Sequence, residues 1–223
     1  MNLDFTRVFS QTLPLLFEGT KTTITIALIS IFAGLLVGFI SCLMGISKNP
    51  VLRAISKTYV WIIRGTPMIV QAFFVFYAIP QFFPGVVPTP YVSGIVTLTL
   101  NAGAYLSEII RGGIQAVPVG QTEAARSLGL SSVQTMRHII LPQAIRNILP
   151  PIANEFVVII KESAVCWTIG VQEIMYAVNS TKGATYRIAE PLIIATLLYF
   201  CLCFPTSKII AYFERRMSRG SKR

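Results

Sequence analysis

Charge is what this sequence has least of. Only 13% of its 223 residues are Asp, Glu, Lys or Arg, the acids number 9, and there is one histidine. Soluble domains carry about 25% charged residues, so an ordinary soluble fold is excluded. No charge falls between Lys21 and Lys48, or between Arg64 and Glu108. Either gap is longer than the roughly 20 apolar residues that take a helix across the hydrocarbon core. The single His138 rules out a His-rich metal site and reads as part of a polar loop face. Cys42, Cys166, Cys201 and Cys203 have no C-x-x-C spacing, which leaves them as small apolar packers with no metal ligation and no disulfide framework. No G-x-x-x-x-G-K-[ST] run occurs, so the chain has no phosphate-cradling loop and does not hydrolyse ATP by that route. The stretch from Met1 to Gly19, with Asp4 and Glu18, lacks the basic flank and short apolar core of a secretory signal. It reads as a short amphipathic lead-in.

What is present is apolar. Hydrophobic residues make up 53% of the chain and the mean hydropathy is +0.66, which indicates an all-α integral membrane protein. The first uncharged gap holds one span and the second holds two, divided by the Pro and Gly cluster from Pro80 to Pro90. Spans are expected near 22–46, 59–79, 91–114, 143–163 and 189–213, in a single domain of residues 1–223. Short loops rich in Lys and Arg stay in the cytoplasm. Lys48, Arg53, Lys57 and Arg64 mark the first such loop, and Arg111, Arg126, Arg137 and Arg146 the second. Arg215, Arg216, Arg219, Lys222 and Arg223 mark the tail. The N-terminus is then outside and the C-terminus inside. The net charge of +10 is orientation charge, so lipid is the expected surroundings and nucleic acid is not a partner.

Between the third and fourth spans the chain turns polar. Residues 120–142 hold Gln121, Glu123, Arg126, Gln134, Arg137 and His138. Glu123-Ala-Ala-Arg-Ser-Leu favours helix, Gly129 suits a left-handed C-cap, and Ser131 or Ser132 suits the N-cap of a second helix, Val133 to Ile139. Pro142 can begin the next span, where its missing N–H costs little. Composition alone leaves this insert open between a solvated connector and a docking element.

The spacing Glu123-Ala124-Ala125, three residues, Gly129, nine residues, Ile139-Ile140-Leu141-Pro142 resembles the EAA signature of ABC importer permeases. Arg64-Gly65-Thr66-Pro67, the run from Asn101 to Arg111, and Asn154-Glu155-Phe156 with Lys161-Glu162-Ser163 are similar to the polar amino acid branch, the histidine, arginine and glutamine permeases. The resemblance implies five spans and a bacterial inner-membrane location. It implies that the insert forms coupling helices that dock on an ATP-binding subunit through Glu123, Ala124, Ala125, Arg126 and Gly129. It also implies two ATPase subunits that bind ATP and Mg, a second permease copy or paralogue, and an external substrate-binding protein. This chain would hold no cofactor of its own.

Ionisable groups inside a span are costly and normally face protein or a water-filled cavity. Thr97, Asn101, Tyr105 and Glu108 lie four, four and three residues apart, on one helical stripe. Asn154-Glu155 and Lys161-Glu162 lie two turns apart, roughly 10 Å along the axis, and Arg64 and Gln71 share a face of the second span. Opposite charges at several depths suit a zwitterionic solute. Asn101 and Glu155 are expected to contact it, Glu155 receiving an ammonium or guanidinium group, while Arg64 or Lys161 faces a carboxylate. Matching Asn and Glu positions in the basic amino acid members support this through the resemblance, and Thr66, Tyr105 and Glu162 complete the candidate set. The plain alternatives are a surface pair Glu108–Arg111 and a headgroup-zone pair Lys161–Glu162. Two rival functions stand: a secondary transporter or channel with a Glu and Lys relay, and a partner permease that positions another subunit's site. Gly34, Gly38 and Gly45 allow close helix approach, and Pro150-Pro151 are expected to bend the fourth span. Tyr59, Trp61, Tyr91, Trp167 and Tyr186 are expected at interfaces, with Phe73, Phe74, Phe76 and Tyr77 facing lipid or packing.

Overall fold

The computed structural model describes residues 5–219, with side chains from 12 to 216, and every element within that range is helical. Asp4, Lys222, Arg223 and the side chain of Arg219 lie outside it. The order is α1 (Phe5–Ile46), α2 (Pro50–Gly65), α3 (Met68–Phe73), a π turn (Phe74–Ala78), α4 (Ile79–Phe82), α5 (Pro90–Gln115), α6 (Val119–Ser127) and α7 (Ser132–Thr135). A second π turn (Met136–Ile140), α8 (Leu141–Glu162), a 3-10 segment (Ser163–Ile169), α9 (Ile174–Thr185) and α10 (Ala189–Arg219) complete it.

By length and composition, Thr12–Ile46 and Ala189–Arg216 can each cross a membrane, and the bent pair Pro50–Gly65 with Met68–Phe82 adds a third. α5 and α8 match the third and fourth expected spans to within two residues, and Thr89 caps α5 by accepting from the Val92 amide at 3.3 Å. The lead-in is not separate, because α1 runs unbroken from Phe5 into the first span.

α1 and α5 form the centre. Apolar surface gains nothing by leaving lipid, so close packing and small residues must hold such helices together. A Cβ on Gly38 would sit 2.8 Å from Leu106 Cβ and 2.9 Å from the Gly103 carbonyl oxygen, and one on Gly34 would sit 2.9 Å from Ala102 Cβ. Glycine is what lets the two backbones meet. Ser41, Ser56 and Ser107 join α1, α2 and α5 through buried hydroxyls at 3.1 and 3.2 Å. Ile26, Ala27 and Ile31 of α1, Leu98 and Ala102 of α5, and Ile159 and Ile160 of α8 form one buried cluster. Cys42 and Cys166 pack inside as apolar groups.

The second span corrects the sequence reading. Residues 59–79 are not one helix: α2 stops at Gly65 and the chain turns by 110° before α3. Thr66 is extended, φ −122° and ψ 145°, because a residue before proline is pushed out of the helical region. The Gln71 amide donates to the freed carbonyls of Ile63 at 2.7 Å and Thr66 at 3.0 Å. Tyr59 is no interface anchor, since its hydroxyl donates to the Leu100 carbonyl at 2.6 Å. Phe76 packs on the core while Phe73, Phe74 and Tyr77 are exposed.

Between α8 and α10 the chain forms α9, a helix that the sequence reading does not include. Its N-cap is Glu173, a fully buried carboxylate that accepts from the Met175 and Tyr176 amides and the Tyr199 hydroxyl, each at 2.9 Å. A Cβ on Gly19 would come within 2.8 Å of the Glu173 backbone, so α1 seats α9 directly.

Candidate functional site

The insert forms as its cap residues dictate. α6 ends in a Schellman turn: the Gly129 amide bonds the Arg126 carbonyl at 3.0 Å, the Leu130 amide bonds the Ala125 carbonyl at 3.1 Å, and Gly129 has φ +86°. Ser131 and Gln134 then form a reciprocal capping box. The second helix is not the isolated Val133–Ile139 segment expected. α7, the π turn and α8 are continuous helix from Ser132 to Glu162, since Met136 and Leu141 keep right-handed helical dihedrals. Pro142 explains the widened turn. A proline ring clashes with the carbonyl four residues back, here His138, and the Leu141 amide reaches five back, to Met136. Ile79, just before Pro80, reaches Phe74 in the same way. Pro150 and Pro151 leave α8 unbroken, so the irregularity lies one segment earlier than expected.

Of the docking candidates, Ala125 is buried at 4% exposure, while Glu123, Ala124, Arg126 and Gly129 are exposed. Around them the insert also exposes Val119, Leu128 and Val133, at 70%, 81% and 76%. These three large apolar side chains stand mostly in the open on an otherwise polar segment.

The candidate substrate residues fall into three places. Along α5 the polar stripe meets the α2–α3 break residue by residue. The Asn101 amide donates to Gln71 at 3.2 Å, and Gln71 also contacts Thr66 at 3.1 Å. Tyr105 lies under the Arg64 guanidinium, 5.2 Å from the ring centroid, and Glu108 is 3.7 Å from Arg64. Arg64, Thr66, Asn101 and Tyr105 thus form one strip. Asn101 is 4% exposed and its carbonyl oxygen has no hydrogen-bond partner among the described residues. A buried acceptor without a donor is expensive, and a ligand ammonium is one group that satisfies it.

Glu155 is on the neighbouring α8, 8% exposed and outside every ion pair among the described residues. Glu162 lies seven residues further along the same helix. Lys161 lies apart, in a cavity of about 520 Å³ with Ile69, Trp167 and Tyr199. Of the two cations offered for a carboxylate, Arg64 joins the Asn101 strip and Lys161 does not. Glu108 is bonded by Arg111 at 3.0 and 2.6 Å, the surface-pair alternative, with Arg64 as a third member.

Sequence reasoning missed the bridging role of Gln71, which it placed on one straight helix with Arg64. The signal was there in Pro67: a proline inside an apolar run frees carbonyls, and a nearby amide is a ready donor.

Residues 37–219 match the family model described as binding-protein-dependent transport system inner membrane component. The arginine transport system permease protein ArtQ of Bacillus subtilis (strain 168) is 38% identical over 217 residues, 97% of this chain and 98% of that one. The nopaline transport system permease protein NocM of Agrobacterium fabrum is 38% identical over 213 residues, 92% and 88% of the two chains. The glutamine transport system permease protein GlnP of Escherichia coli (strain K12) is 31% identical over 217 residues, 97% and 99%. Among solved structures, an amino acid ABC transporter crystallised with histidines superposes with a TM-score of 0.92 at 38% identity, covering 97% of this chain and all of that one. An inward-facing MetNI methionine ABC transporter shares the fold, with a TM-score of 0.70 at 19% identity over 90% of this chain and 96% of that one.

Proposed function

The chain belongs to the family of binding-protein-dependent transport system inner membrane components, and on that premise we propose that it is the permease subunit of an ATP-driven importer of a polar amino acid, basic or glutamine-like. Family membership makes it an inner-membrane protein with an ATPase partner and a permease partner. In the proposed arrangement one transmembrane domain has five spans, with α2 to α4 together as the second, the N-terminus outside and α6–α7 as the coupling element. Two ATPase subunits bind ATP and Mg on the inner side, and a substrate-binding protein delivers cargo on the outer side.

The observation that carries the reading is the unbroken helix from Ser132 to Glu162. One end lies beside the exposed surface of Glu123, Ala124, Leu128 and Val133, and Glu155 lies well along the other. A continuous helix is a direct mechanical link between a docked partner and a buried carboxylate. Closure of the ATPases draws the insert inward and tilts α8, so that Glu155 and the Asn101 strip change access from one side of the membrane to the other. Glu155 receives the cargo's cationic group, the Asn101 carbonyl oxygen accepts a second hydrogen bond, and Arg64 faces the carboxylate.

The test is uptake by proteoliposomes holding the chain with its partner subunits. Glu155→Gln should weaken uptake of arginine at least tenfold, since a charge-assisted contact is worth roughly 1.5–3 kcal/mol, and should affect a neutral cargo less. Unchanged affinity and range would overturn the contact. Leu128→Asp should release the ATPase subunits on purification while leaving the membrane helices folded, because Leu128 is 81% exposed. Full retention would place the docking surface elsewhere. The relay alternative is disfavoured by Glu108, whose charge is held by Arg111 and Arg64.

A further inference from the structure

A second charged place adjoins the Asn101 strip at Arg64 and extends away from it along α2. Between the last turn of α1, the face of α2 and the last two turns of α5 is a cavity of about 480 Å³. On α2, Arg53, Lys57, Val60 and Arg64 follow at steps of four, three and four residues, so the three cations share one face. Arg111 adds a fourth from α5, and Glu108 is the only acid in the lining. Four cations against one carboxylate leave an excess of three positive charges.

That carboxylate is already engaged. Arg111 bonds both Glu108 oxygens, and Arg64 stands off at 3.7 Å. Arg53 donates to the Lys48 carbonyl at 3.4 Å, and neither Arg53 nor Lys57 makes an ion pair among the described residues. Arg53 and Lys57 are exposed, so their charge is open to an anion arriving from outside the chain. An amino acid cargo is a poor candidate, because its ammonium would find no free acceptor carboxylate here. Guanidinium and ammonium groups on one face suit phosphate oxygens, and basic pockets between spans at the Lys- and Arg-rich end accept lipid head groups. Ser56, Ser107 and Gln115 share the wall with Ile46 and Val60, and Trp61 is exposed at 73%, an apolar surface on which an acyl chain can lie beside the phosphate.

We infer that this cavity binds the phosphoryl group of an anionic phospholipid, held by Arg53 and Lys57, with Trp61 alongside its acyl chain. The inference rests on the reading of the chain as a membrane permease. The experiment is native mass spectrometry of the purified complex, titrated with phosphatidylglycerol, phosphatidylcholine or inorganic phosphate. Phosphatidylglycerol should be retained in preference to phosphatidylcholine. Arg53→Gln with Lys57→Gln should lower that retention about tenfold or more, from two lost contacts, and Arg53→Lys with Lys57→Arg should keep it. Equal retention of the two lipids, or no loss in the double Gln variant, overturns the site. Displacement of the lipid by inorganic phosphate upholds the phosphoryl chemistry and identifies the free ion as a second source. Lipid retention is read without any uptake, so its failure leaves the importer reading standing, and a failed uptake test leaves this site standing.

Discussion

The α1–α5 seam and the α7–α8 rod are both helical, yet they are built to opposite ends. In the seam, Gly34, Gly38 and Gly103 bring two backbones so close that no Cβ fits between them, and buried serines lock the third helix on. In the rod, Pro142 and a π turn interrupt the regular ladder between the proposed docking surface and the buried carboxylate. Close packing transmits strain and registers even small changes of volume, whereas π turns within α-helices recur at functional sites. In the proposed coupling mechanism the seam is the fixed frame and the rod the part that moves.

The seam is the easier of the two to break. Gly38→Leu drives a side chain into Leu106 and the Gly103 carbonyl, and overpacking of this kind costs typically 1–3 kcal/mol and occasionally more. We expect loss of most folded protein from the membrane, read by yield and by thermal unfolding in detergent. A variant with wild-type yield and melting temperature would show that α1 and α5 can separate, and would end the contrast with the rod.

Much of this contrast was legible in the sequence, and the parts that were not share a cause. α5 was placed to within a residue because Thr89-Pro90 and the polar stripe of Asn101 are local signals that packing does not override. Gly129 and Ser131 were legible for the same reason, since a left-handed turn and a cap are decided by the residues that form them. The break at Thr66-Pro67 was hidden by the apolar run around it: hydropathy registers that a segment prefers lipid, not that it turns. The two π turns were hidden because a proline after an apolar run reads as a helix start, and only the carbonyl four residues earlier reveals the conflict. Lys161 fell away from Arg64 because helical phase gives a residue's face but not which neighbour that face meets. α9 was missed because its cap, Glu173, is satisfied by α10 as well as by its own helix.

A smaller effect is expected at the junction between frame and rod. Gly129 has φ +86° with open space around its Cα, so Gly129→Val brings no clash and only the backbone penalty of a left-handed β-branched residue, roughly 1–3 kcal/mol. The membrane helices should keep their melting temperature while the α6–α7 turn loosens, seen as faster amide exchange at Gly129 and Leu130. ATP hydrolysis should then continue with uptake reduced several-fold. Fully coupled transport would mean that the turn's shape does not matter to force transmission.

The least disruptive change is the sharpest probe of the rod. Pro142→Ala removes the ring that clashes with the His138 carbonyl and restores an N–H, so the ladder can return to regular α-helix, which alanine favours. Stability should be unchanged or slightly higher. Closing a π turn, however, alters the rotation between the segments it joins, by up to ~100° for one residue's worth of helix. α8 cannot take up that rotation, because Ala144 and Ile148 are buried against the core. The insert must take it up, and Ala124 and Leu128 would then face away from their partner. Uptake per ATP hydrolysed should fall while the protein melts no earlier, a pattern that simple destabilisation does not produce. If the ratio stays at the wild-type value, the widened turn is imposed by packing at Ile140 and Ala144, and Pro142 follows from the turn's shape without causing it.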